Sequence, residues 1–279
     1  QAICAGDIPG VSMVLVDGKV LVSQLRDVDI EDVLGRDPIK LDTSKILNSL
    51  QGQTVLVTGA TGLIGSLTVK TLVEANKKSD NKIKIIALAR NQEKAKKVFP
   101  CNTYDSEITF IFSDINEPIV CDSPIDFIVH TASMTDSKDF ITKPVETIKT
   151  ALNGTLNVLE FARSKEVQGL LYLSSLEVYG TPSAENTSIT EEDSGYINQL
   201  HPRSSYSEGK RMVECLCASF SSEYGTPIKI ARLSQTFGAG VSYNDNRVFA
   251  QFARSAIERK DIVLRTKGET LRNYCYTMD

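Results

Sequence analysis

Tyr206 and Lys210 stand four positions apart in the run Tyr206-Ser207-Glu208-Gly209-Lys210. On a helix that spacing puts both side chains on one face, one turn apart. The pairing can carry acid–base chemistry. A free tyrosine, with a pKa near ~10, is a poor base at neutral pH. An ammonium one turn away favours the phenolate, which can then remove a hydroxyl proton while hydride leaves the same carbon. Ser175, in Ser174-Ser175-Leu176-Glu177-Val178-Tyr179-Gly180, is a candidate to hold that oxygen, and Glu177 supplies an acid two positions on. Tyr-x-x-x-Lys also occurs by chance on many helices, so its weight depends on the elements around it.

A departing hydride needs an acceptor, and Thr54 to Gly65 (TVLVTGATGLIG) provides the place for one. Val55, Leu56 and Val57 read as a buried parallel strand. Gly59, Gly62 and Gly65 follow as G-x-x-G-x-x-G, and Leu67, Val69, Leu72 and Val73 then recur at helical spacing. Strand, glycine turn and helix open a dinucleotide-binding βαβ unit. The glycines allow a tight turn, backbone approach to a pyrophosphate and close helix–strand packing, and the helix N-terminus offers free N–H groups to the phosphates. Gly59, Thr61, Gly62, Leu63, Ile64 and Gly65 are the candidate cradle. The glycine spacing resembles the short-chain dehydrogenase/reductase superfamily. Lys82 to Ala89 reads as the second strand. An acid at its end would bind the ribose hydroxyls of NAD, but Ala89 and Arg90 stand there. An arginine can pair with a 2′-phosphate, so the expected cofactor is NAD or NADP, with a lean to NADP.

Further strands are expected at Ile108–Phe112, Ile125–Val129, Leu170–Leu173 and from Ile228, with an amphipathic helix over Thr147–Ser164. Together they predict an α/β fold, a Rossmann-type doubly wound parallel sheet. By the superfamily resemblance, Asp114 and Ile115 meet the adenine. Thr131, Ala132 and Ser133, after the fourth strand, and Ser174 leave room for the nicotinamide side. His130 reads as a packed residue at the strand end.

Composition narrows the classes. The chain has 279 residues, 41% hydrophobic and 24% charged, as expected of a globule with a real core. A formal net charge of −4 argues against binding nucleic acid through its phosphates. No apolar run approaches a membrane span. Six scattered cysteines and two histidines make a metal site unexpected, and the thiols read as free in a reducing cytoplasm.

From about Gln53 to Asp279 the combined motifs resemble the extended short-chain dehydrogenases, the nucleotide-sugar epimerase/dehydratase family. That resemblance implies a nucleotide-sugar substrate, transient oxidation at the sugar 4-position by Tyr206, Lys210 and Ser175, and a homodimer formed through the Tyr206 helix and the Thr147–Ser164 helix. Within the family, 4,6-dehydratases carry Asp-Glu where this chain has Leu176-Glu177, and a leucine cannot protonate a leaving hydroxyl. UDP-glucuronate decarboxylases keep the Glu without the Asp. The run Gly195–Arg211 (GYINQLHPRSSYSEGKR) is also similar to theirs. Decarboxylation is therefore expected ahead of 4-epimerisation or a variant dehydration, in surface polysaccharide or sugar-nucleotide synthesis. Rival readings are a dinucleotide-binding module without turnover and a plain carbonyl reductase. Arg203, Gln235, Arg247 and Arg272 are the implied substrate contacts. Ala151 replaces an Asn that supports a proton-relay water in some members. Residues 1–51 form an N-terminal extension, with a hairpin at Met13–Val22 and a connector at Ile30–Asp42 similar to that of polysaccharide-synthesis dehydratases. Residues 52–279 form the cofactor domain. Its small substrate lobe, from about 181–200 and 238–279, is expected to be truncated at Asp279.

Overall fold

The computed structural model describes residues 43–100, 104, 106–182, 188–263 and 273–277. The expected hairpin and connector in residues 1–42, and Arg272, lie outside the described residues.

Three strands carry the first half of the sheet: β1 (Thr54–Thr58), β2 (Lys84–Ala89) and β3 (Ile108–Phe112). β4 (Phe127–His130), β5 (Gly169–Ser175) and β6 (Ile228–Leu233) carry the second. All pair in parallel in the order β3-β2-β1-β4-β5-β6. Every residue of β1 is buried, which is why Val55–Val57 runs continuously apolar between Thr54 and Thr58 rather than alternating. Successive side chains feed opposite faces. Leu56 packs in a core with Ile128, Leu159 and Leu170, whereas Val55 and Val57 pack in another with Val69, Val73 and Ile85. Helices therefore cover both faces, as the doubly wound arrangement requires. Strand order reverses between β1 and β4, and the crevice at their carboxyl ends is where such sheets bind ligands.

Among the described residues, six helices lie along the sheet in chain order. α1 (Thr43–Leu50) precedes the sheet. α2 (Leu63–Asn76) starts directly after the glycine turn, and α3 (Gln92–Val98) follows β2. α4 (Ser137–Thr142) is a short helix that the sequence pattern did not reveal. Asp136 caps it by accepting from the Lys138 N–H at 2.9 Å. α5 (Pro144–Ser164) begins with Pro144, whose fixed φ suits a first helical turn, so the helix starts three residues before the predicted Thr147. α6 (Ser204–Tyr224) carries Tyr206 and Lys210 and ends at Gly225, left-handed with φ +70°. α5 and α6 pack together, with Ala151 against Gly209. Beyond the main sheet, β7 (Gln235–Phe237) pairs in parallel with β8 (Tyr274–Tyr276), and α7 (Val248–Ile257) lies between them in sequence. Among the described residues no helix is long and apolar enough to cross a membrane.

Candidate active site

The glycine turn is tight for a physical reason. Gly59 has φ +64°, and a Cβ there would stand 2.7 Å from the Ala132 N. A Cβ on Gly65 would stand 2.7 Å from the Thr131 Oγ1. These positions bring β1, α2 and the end of β4 too close for any side chain. Gly62 differs. It is exposed at the start of α2, and a Cβ there would meet only the Gly59 carbonyl, at 3.2 Å. The first-turn N–H groups beyond it have no intrahelical acceptor. A cradle of bare backbone at a helix N-terminus fits a dinucleotide pyrophosphate.

Thr131 and Ala132 are tied to the end of β1. The Thr131 hydroxyl donates to the Thr58 carbonyl at 2.6 Å, and the Ala132 N–H donates to the Thr58 hydroxyl at 3.3 Å. Ser133 turns its hydroxyl to the Met134 carbonyl. His130 is fully buried between Thr58 (2.7 Å) and Thr155 (3.0 Å), and burial pushes its pKa down to about 3. With both nitrogens engaged, it is a neutral packing residue.

At the adenine side, Arg90 forms an ion pair with Asp114 at 3.6 Å. The other Asp114 oxygen accepts from the backbone and side-chain N–H groups of Asn116, both at 2.9 Å. Ile115 is buried against Gly154 of α5.

β5 and α6 converge on Tyr206. Ser175 ends β5, and its Oγ accepts the Glu177 N–H at 3.2 Å at the start of a 3-10 turn over Leu176–Tyr179. That leaves the Ser175 hydroxyl proton for the Tyr206 phenol, whose pKa Ser175 lowers. The Tyr206 ring stacks on Phe140 of α4, centroids 4.3 Å apart and planes 11° apart. Burial holds the Tyr206 pKa above the ordinary tyrosine value and Glu177 adds to the rise, while Ser175 and Arg203 act against it. Lys210 does not touch the phenol. Its Nζ donates to the Leu173 carbonyl at 2.7 Å, lies 4.7 Å from the Tyr172 ring centre and 5.9 Å from that of Tyr206, and burial lowers its pKa to about 8. The groups acting most strongly on the phenol are therefore Ser175, Glu177 and Arg203 rather than the lysine one turn along.

Glu177 is held from α6. Arg203 grips its carboxylate with both arms of the guanidinium, at 2.7 and 2.8 Å, and the Ser207 hydroxyl donates at 3.0 Å. The paired fork is the geometry in which arginine binds a carboxylate best. Arg203, expected to meet substrate, is thus also a partner of the candidate acid. Ser174 points away from Ser175 by strand alternation. Its hydroxyl donates to Glu214, which Arg232 holds in turn, so what Ser174 offers a cofactor is backbone. Gln235 begins β7, half-buried. Arg247 is bonded through Nε and Nη2 to Asp245 (2.6 Å at the shortest) and donates to the Thr236 carbonyl. Sequence reasoning missed Phe140 and the Asp245 partner of Arg247. The Asp-cap before α4 was the one local sign of the former. Among the described residues no group of three or more His, Cys, Asp or Glu is arranged to hold a metal, and Cys121, Cys215 and Cys217 are free thiols.

The family model of the NAD-dependent epimerase/dehydratase family matches residues 55–279. The chain belongs to that family. Among curated relatives, it is 30% identical to UDP-glucuronic acid decarboxylase 1 of Xenopus tropicalis over 236 residues, covering 84% of this chain and 53% of that protein. It is 31% identical to UDP-glucuronic acid decarboxylase 6 of Arabidopsis thaliana over 242 residues, covering 87% and 67%. The chain spans about half the length of the first of these relatives. Among solved structures, UDP-N-acetylglucosamine 4-epimerase from Methanobrevibacter ruminantium aligns with a TM-score of 0.68 at 20% identity, covering 81% of this chain and 69% of that one. The dTDP-glucose 4,6-dehydratase DesIV from Streptomyces venezuelae, with NAD bound, aligns at 0.66 and 22%, covering 81% and 69%. These likenesses share the fold.

Proposed function

We propose that this chain is the catalytic part of a nucleotide-sugar enzyme that removes carbon dioxide from UDP-glucuronate by way of a ketone at the sugar 4-position. The carrying observation is the group at the end of β5. Ser175 acts on the Tyr206 phenol and lowers its pKa, Glu177 two residues beyond is gripped by Arg203 at 2.7 and 2.8 Å, and Leu176 fills the position where a dehydratase needs an acid. The two curated relatives named above are UDP-glucuronic acid decarboxylases, which supports this reading.

Gly59, Gly62 and Gly65, the first turn of α2, Thr131 and Ala132 would hold the dinucleotide. When bound, its nicotinamide supplies a reversible hydride acceptor for the sugar carbon. Tyr206 accepts the proton of the 4-hydroxyl, its phenolate favoured against burial by Ser175, by Arg203 and by the positive charge that an oxidised nicotinamide would add, and Ser175 is proposed to keep that oxygen in line with the phenol. Once C4 is a ketone, the bond between C5 and the carboxyl carbon can break. Its electron pair moves towards the C4 oxygen, where the Tyr206 and Ser175 hydroxyls stabilise the charge, and carbon dioxide leaves. A proton then adds at C5, and return of the hydride to C4, with Tyr206 giving its proton back to the C4 oxygen, would reduce the ketone and leave a UDP-pentose. Arg203, anchored on Glu177, places a cation beside this site. Arg90 supports a 2′-phosphate on the cofactor, although Asp114 shares its charge. Gln235, Arg247 and Arg272 are proposed for the diphosphate end, with Arg247 required to keep or exchange its bond to Asp245. The thiols of Cys121, Cys215 and Cys217 support a reducing cytoplasm as the setting.

The test is mass spectrometry of UDP-glucuronate incubated with the protein and NAD or NADP. Loss of carbon dioxide supports the proposal. An isomer of unchanged mass would replace it with 4-epimerisation. Loss of water from a UDP-hexose would overturn the argument from Leu176.

A further inference from the structure

We infer that Phe140 is a positioning residue for the Tyr206 phenol, with α4 serving as the brace that holds its ring plane. Three contacts bind Phe140 to the start of α6. Its ring lies nearly parallel to that of Tyr206, 4.3 Å away and tilted by 11°. Its carbonyl accepts the Ser205 hydroxyl at 3.1 Å. The Arg203 guanidinium stands 5.6 Å from its ring centre. Phe140 is 2% exposed, although α4 is only six residues long and Ile141 beside it is 55% exposed. The short helix therefore turns one large side chain inward, onto the one aromatic ring whose orientation the reaction depends on.

A ring stacked on one face leaves the phenol free to rotate only with the loss of that contact. It also keeps water off that face. The ring edge that bears the hydroxyl is then fixed towards Ser175. The charged and titratable groups around Tyr206 are Glu177 from the turn after β5, Arg203 just before α6, Lys210 from α6, and Tyr172 from β5. Phe140 is the uncharged side of this enclosure. Removing it admits water without altering any of those charges.

The inference rests on the reading of Tyr206 as the acid–base group, and its first readout needs no substrate. The full chain is labelled with ring-labelled tyrosine, and the Tyr206 NMR signal is assigned by its loss in Tyr206→Phe. Phe140→Leu keeps a buried apolar side chain but removes the ring plane, and Phe140→Ala opens the space. We expect the Tyr206 titration midpoint to fall towards the ordinary tyrosine value, by about half a unit or more in Phe140→Ala and less in Phe140→Leu. We expect kcat on UDP-glucuronate to drop about ten- to hundredfold with KM within about twofold. A residue that merely fills the core would lower stability and leave the midpoint in place. An unchanged midpoint in both folded variants overturns the inference. If the native protein does not turn over UDP-glucuronate, the proposed function fails while the titration still decides the role of Phe140.

Discussion

Tyr206, Ser175, Glu177 and Arg203 form a chain of contacts in which each side chain fixes the next. Ser175 lowers the pKa of Tyr206, Ser175 receives the Glu177 backbone N–H, and the Glu177 carboxylate is held by Arg203 and Ser207. Two substitutions separate their parts. Tyr206→Phe removes only the hydroxyl, so stability should change by less than about 1 kcal/mol while kcat falls about a hundredfold or more, checked by urea midpoint and product formation. Glu177→Gln keeps the shape but removes the charge from the Arg203 fork. Both partners are partly exposed, so the stability loss should stay near 1 kcal/mol or below. Turnover should fall by more than tenfold, because Arg203 loses its anchor beside the phenol. Equal and small effects on both measures would deny the pair any role in the reaction.

At the scale of elements, the site depends on how β1, β4 and α2 meet. Gly65→Ala would drive a methyl group into the Thr131 hydroxyl and the Gly59 backbone. It should destabilise the protein by about 1–3 kcal/mol. Affinity for NAD, measured by calorimetry, should weaken at least tenfold. His130 gives a pH signature. Its folded pKa, about 3, lies below the value near ~6.5 that it takes when unfolded. The folded state then binds fewer protons, so its contribution is complete above pH ~6.5 and is lost as pH falls towards 3. The slope is about 1.4 kcal/mol per pH unit for one group. Urea midpoints between pH 6.5 and 4.5 should show this slope, and His130→Asn should flatten it.

These elements also mark where the sequence could be read. β1, the glycines and Tyr206–Lys210 are local patterns, each set by spacing within a few residues, and the parallel sheet follows from the alternation of strands with helices. The contacts that complete the site are not local. Arg203 reaches Glu177 across 26 residues and Phe140 reaches Tyr206 across 66, distances over which no periodicity speaks. Lys210 shows the converse: spacing placed it correctly on the Tyr206 face of α6, but the buried Leu173 carbonyl attracts its ammonium more directly than the phenol does.

For the molecule as a whole, the six-stranded sheet brings the cofactor cradle on β1 and the acid–base group on β5 and α6 to the same end of one body. β4 stands between them in the sheet. A shared cleft follows from that order, and family membership gives it a dinucleotide. The Arg90–Asp114 pair should set the preference between cofactors. Arg90→Ala should weaken NADP binding at least tenfold and leave NAD binding within about threefold, by calorimetry. Equal losses for both would show that Arg90 meets the adenine instead. The central claim, carbon dioxide lost through a ketone at C4, is tested most directly with UDP-glucuronate deuterated at C4. The account predicts a UDP-pentose that keeps its deuterium, with no reduced cofactor accumulating. A product that has lost the label, or a substrate returned with its carboxylate intact, would contradict it.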